Sequence, residues 1–83
     1  MKIDVAAKEY LVEIEVRKFT KKTIRSYRNN LNLFLRYCQE QADVIDVEDL
    51  TLAVIRKFTL YMMERNARAV IFFISSMTLY FLT

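Results

Sequence analysis

The sequence predicts an all-α domain of four helices, and three observations carry that expectation. Glycine and proline are both absent from the 83 residues, and these are the residues that tight β-hairpin turns favour. Apolar side chains recur at three- and four-residue spacing through successive segments. Two threonines, Thr20 and Thr51, each follow a large apolar residue and precede another by four positions, the cap-and-staple signature of a helix start.

The first helix is expected over about residues 5–17, capped by Asp4, with Ala7, Tyr10, Leu11 and Ile14 on one face. Lys18 and Phe19 then break the pattern. The second spans about residues 21–40. Thr20 is its cap, Phe19 and Ile24 form its staple, and Ile24, Tyr27, Leu31, Phe34, Leu35 and Cys38 fall within an arc of about 100°. A polar connector follows from Gln41 to Asp49, with Val44, Ile45 and Val47 as core plugs. Leu50, Thr51 and Ile55 repeat the staple and cap, and open a third helix over about residues 52–65. Its inner face is Val54, Ile55, Phe58, Tyr61 and Met62. Asn66 suits a left-handed C-terminal position.

The segment from Ala69 to Thr83 carries no charge. As a helix it is about 22 Å long, short of the ~30 Å of a bilayer core. A fourth helix over about residues 69–82 is expected, apolar on nearly every side. Such a helix needs cover on more than one face, and a chain of this length buries only about 60% of its unfolded surface. A homodimer through residues 69–83 is therefore expected.

Composition also excludes chemistry. There is no His and one Cys, so a Ser-His or Cys-His dyad, an intrachain disulfide and a structural zinc site are all ruled out. The acidic group Asp43, Asp46, Glu48 and Asp49 lacks the Gly and terminal Glu of a calcium loop and reads as a solvated connector. Cys38 sits on an apolar face and is expected to be buried and inert. No cofactor, metal or small-molecule substrate is indicated. The opening Met1-Lys2-Ile3-Asp4 has no apolar signal region, and with the free Cys this fits a cytoplasmic chain.

The informative feature is charge placement. Arg17, Lys18, Lys21, Lys22, Arg25, Arg28 and Arg36 are seven of the 13 basic residues, and no acid lies between Arg17 and Arg36. On the second helix Lys21, Arg25, Arg28, Asn32 and Arg36 fall within an arc of about 80° beside the apolar face. A charge run is by default a solvated helix face, but an acid-free run of this length in a chain with 10 acids points to an anionic partner. Arg and Lys neutralise phosphates, and Thr20, Thr23 and Ser26 add neutral phosphate donors. Asn29 and Asn32 are suited to a base edge if the helix enters a major groove.

The string Phe19-Thr20-Lys21-Lys22-Thr23-Ile24-Arg25-Ser26-Tyr27, continued by Leu31, Phe34, Leu35 and Tyr37, resembles the second helix of the core-binding domain of tyrosine recombinases, the phage-integrase family. Asp49-Leu50-Thr51 with Ile55, Phe58, Tyr61 and Met62 resembles its third helix, and Ile74-Ser75-Ser76-Met77 with Leu79-Tyr80-Phe81-Leu82 its fourth. The resemblance implies a four-helix, SAM-like bundle forming half of a clamp on duplex DNA. It also implies contacts through Lys21, Lys22, Thr23, Arg25 and Arg28. Two departures stand out. The family's catalytic Arg, Lys, His and Tyr set is absent from these residues, and the five tyrosines read as core and surface groups. The fourth helix lacks the family's basic residues, with Phe72 and Phe73 in their place, so that only Arg65 and Arg68 near its start are available as cations.

The reading is thus a non-catalytic DNA-binding domain of a site-specific recombinase, acting in DNA integration and recombination, with Lys21, Lys22, Thr23, Arg25, Arg28, Asn29, Asn32 and Arg36 as contacts. The alternative is a small helical interaction module that self-associates through its apolar last helix. A basic membrane-surface helix fits less well, because the apolar face of the second helix is patterned for a core.

Overall fold

The computed structural model describes residues 1–65 and 70–82. Four α-helices run in chain order as α1 (Ile3–Val16), α2 (Lys21–Tyr37), α3 (Leu52–Glu64) and α4 (Val70–Leu82). A π-helical turn over Cys38–Ala42 extends α2, and a short 3-10 turn at Val47–Asp49 precedes α3. The all-α class expected from the sequence is the class observed. The Asn66 expectation falls outside the described residues.

The starts of α2 and α3 have a common physical cause. Thr20 Oγ1 accepts the Thr23 amide at 3.1 Å, and Thr51 Oγ1 accepts the Val54 amide at 3.3 Å. Both hydroxyls thereby satisfy a donor that the helix leaves open. The staple residues pack as their spacing requires: Leu50 and Ile55 are buried, and Phe19 and Ile24 lie half-buried against the core.

The start of α1 corrects the sequence reading. The helix begins at Ile3, and Asp4 does not cap it; Lys2 occupies the cap position without a side-chain bond. The Asp4 carboxylate instead accepts the neighbouring Val5 amide at 2.9 Å. The connector takes over the capping role. Lys2 and Asp46 form an antiparallel bridge, the Ile3 amide donates to the Ile45 carbonyl at 2.8 Å, and the Val47 amide donates to the Met1 carbonyl at 2.9 Å. This pairing also corrects Ile45, which is 61% exposed rather than a core plug. An extended segment sends successive side chains to opposite sides, so burying Val44 turns Ile45 outward.

Among the described residues two adopt left-handed backbone, Lys18 (φ 60°) and Asp43 (φ 54°). Each ends a helical segment where glycine is the usual choice. At Asp43 the turn closes through the Val44 amide, which donates to the Cys38 carbonyl at 2.9 Å.

The core is aromatic. Phe34 and Phe58 join α2 to α3 with ring centroids 5.0 Å apart, while Tyr10 and Tyr27 reach Phe73 of α4 at 6.2 and 5.6 Å. Tyr10, the largest fully buried side chain, donates its hydroxyl to Ser76 Oγ at 2.8 Å. Among the described residues no buried side-chain polar atom lacks a partner.

Candidate nucleic-acid interface

The inward face of α2 decides what its outward face presents. Leu31, Phe34 and Cys38 are buried, and Ile24, Tyr27 and Leu35 pack partly against the core. Helical geometry therefore turns Lys21, Lys22, Arg25, Arg28, Asn29, Asn32 and Arg36 to solvent, and all seven are exposed. Their directions span an arc of about 120°. Thr23, the eighth predicted contact, is half-buried and belongs to the cap. Its amide is donated to Thr20, and its hydroxyl oxygen accepts from the Thr20 hydroxyl at 2.8 Å.

The stripe is electrostatically lopsided. Arg17, just before α2, pairs with Glu13 at 2.9 Å across one helical turn, with its own side chain largely exposed. Arg28 lies 4.0 Å from Glu15, with the two side chains 53% and 56% exposed, a loose solvent-facing pair of small energetic weight. Near the start of α2, Lys21, Arg25 and Arg28 line a hollow of ≈ 440 Å³, with Ile24 as its apolar wall and Glu15 facing them from α1. Sequence reasoning named the three cations but missed Glu15, because spacing along one helix says nothing about which residue of another helix lies opposite.

At the far end of the stripe Arg36 lines a smaller hollow of ≈ 140 Å³ between α2 and α3, shared with Tyr37, Tyr61 and Arg65. The Arg65 guanidinium sits 4.3 Å over the Tyr61 ring, which fixes its direction by cation–π attraction. Arg68 lies outside the described residues.

The other reactive groups are quiet. Burial pushes the Tyr10, Tyr37 and Tyr80 phenols above their ordinary range, which makes them poorer nucleophiles at neutral pH. The Cys38 thiol is fully buried and is pushed up to about 11 by the same cause. No group of His, Cys, Asp or Glu suited to a metal ion occurs among the described residues. The acidic connector is partly used in structure: Glu48 pairs with the Met1 amine at 2.8 Å.

The outer side of α4 presents a second surface. Val70, Phe73, Ile74 and Met77 are buried, whereas Ile71, Phe72, Leu79 and Leu82 are exposed, Phe72 at 76%. Thus four large side chains of the described part of α4 face outward. Phe73 is a core residue, which leaves Phe72 as the member of the Phe72-Phe73 pair on the surface. No helix among the described residues is long and apolar enough to cross a membrane.

The profile of one protein family, described as phage integrase, N-terminal SAM-like domain, matches residues 7–81. No curated protein and no solved structure is significantly similar to the chain.

Proposed function

Because the chain belongs to the family of phage-integrase N-terminal SAM-like domains, we propose that it is the non-catalytic, duplex-DNA-binding domain of a site-specific tyrosine recombinase. The observation that carries this reading is the acid-free stripe on α2: Lys21, Lys22, Arg25, Arg28 and Arg36 are all exposed, while the opposite face of the same helix is spent on the core. Phosphate contacts from these cations would hold the helix on the duplex, and the exposed amides of Asn29 and Asn32 on the same helix are suited to base edges. Strand transfer itself belongs to the catalytic part of such a recombinase. The residues here contribute affinity and placement, since they include no His and the phenols of Tyr10, Tyr37 and Tyr80 are weakened as acids.

Four to five neutralised phosphates correspond to a slope of about −4 in log affinity against log salt, or roughly a 250-fold loss between 50 and 200 mM. Fluorescence anisotropy with a labelled duplex tests this. Binding that ignores salt, or no binding at 50 mM, overturns the reading.

A second property is favoured by the exposure of Ile71, Phe72 and Leu82. Self-association through α4 would cover these side chains, and Phe72, 76% exposed, has the most burial to gain. A symmetric dimer through this face uses none of the α2 cations and so leaves them available to DNA.

A further inference from the structure

We propose that the hollow between the end of α1 and the first half of α2 seats one backbone phosphate, and that Glu15 is the seat's built-in competitor, holding Arg28 until the phosphate displaces it. The inference rests on the DNA-binding reading above and assigns that site an intramolecular control.

Lys21, Arg25 and Arg28 stand at positions i, i+4 and i+7 of one helix, so their stems rise from a single narrow strip of α2. They line a common hollow, in which Glu15 is the one acid. Three cations against one carboxylate leave the hollow with a surplus of positive charge and room for an anion. A carboxylate and a phosphate offer guanidinium the same paired oxygens. Glu15 therefore occupies the role that a phosphate would take, on the wall facing the helix.

The separation matters. At 4.0 Å, with both side chains more than half exposed, the Glu15–Arg28 pair is loose. The neighbouring Arg17–Glu13 pair closes to 2.9 Å. Arg17 thus has a hydrogen-bonded partner, whereas Arg28 has only a loose one to exchange. The backbone keeps Glu15 there. Its carbonyl accepts the Lys18 amide at 3.0 Å, which closes the last turn of α1 three residues before α2 begins.

The test compares two variants with the same change in net charge. Glu15→Gln removes the competitor. Glu9→Gln removes a carboxylate that acts on Tyr80, on the α4 side of the bundle. Both are exposed, and circular dichroism of each variant checks that it folds before binding is compared. In 50 mM salt Glu15→Gln should tighten duplex binding about two- to fivefold, and Glu9→Gln should change it far less. The gain should vanish when Arg28→Ala is already present. Equal gains from both variants, or a gain that survives Arg28→Ala, would mean bulk charge and overturn the proposal while the DNA reading stands. Absence of duplex binding by the unaltered chain overturns both. A gain seen with inorganic phosphate at matched ionic strength but not with the duplex assigns the seat to a free anion and likewise overturns it.

Discussion

The amide of Phe19 donates to the carbonyl of Ile14 at 3.2 Å, and that bond closes the end of the first helix just before the second begins. With the Lys18 amide donating to Glu15, it forms the paired closure of a left-handed helix end. The same Phe19 is the staple residue before the Thr20 cap. One residue therefore closes α1 with its backbone amide and helps open α2 with its side chain, which explains how four residues suffice between the helices.

Lys18 sits in the left-handed region without glycine's freedom, at a cost of about 1–2 kcal/mol. Lys18→Gly removes that strain and adds roughly 0.5–1 kcal/mol of unfolded-state entropy against it. A net gain of up to about 1.5 kcal/mol is expected, read as a higher urea midpoint with unchanged slope.

Contact and scaffold should separate cleanly on α2. Arg25→Ala and Arg28→Ala each ought to weaken duplex binding and flatten the salt slope by about 0.9, with melting temperature unchanged. Leu31 is 1% exposed, so Leu31→Ala should cost about 2–5 kcal/mol of stability. Comparable destabilisation in all three variants would show that the basic stripe packs against something.

Cys38 links stability to alkaline pH. Its thiol is pushed from 9.0 to about 11 by burial, so the unfolded chain loses this proton first as pH rises. The stabilisation is fully present below pH 9 and is lost between about 9 and 11. Buried tyrosines act in the same direction. Urea midpoints of the unaltered chain and of Cys38→Ala across that range should therefore converge as pH rises; parallel curves would show that the thiol is accessible.

The exposed face of α4 makes oligomeric state a sharp readout. Light scattering at micromolar concentration should give twice the chain mass, and Phe72→Gln should shift it toward the monomer without loss of helix. A soluble monomeric parent chain would remove the self-association reading and leave DNA binding untouched.

Local chemistry made much of this molecule legible. Thr20 and Thr51 announce their helices because a hydroxyl before an apolar-periodic run has a donor to satisfy within three residues. The inner faces of α2 and α3 follow from periodicity, since apolar side chains on one arc have one way to leave water together. Asp4 and Ile45 were not legible in the same way. Both depend on a backbone pairing between Lys2 and Asp46, which are 44 positions apart, and no local pattern reports such a bridge.

The sequence by itself determined the class of the fold, the four helices and the isolation of positive charge on one of them, because periodicity, capping and composition are properties of short segments. Only the tertiary structure decided which acid faces that charge, which of Phe72 and Phe73 enters the core, and where the connector closes on the N-terminal segment. These are outcomes of packing. A helix carries its pattern alone, but its rotation against a neighbour is chosen by shape and burial across the whole core, and Glu15 meets Arg28 only after that choice is made.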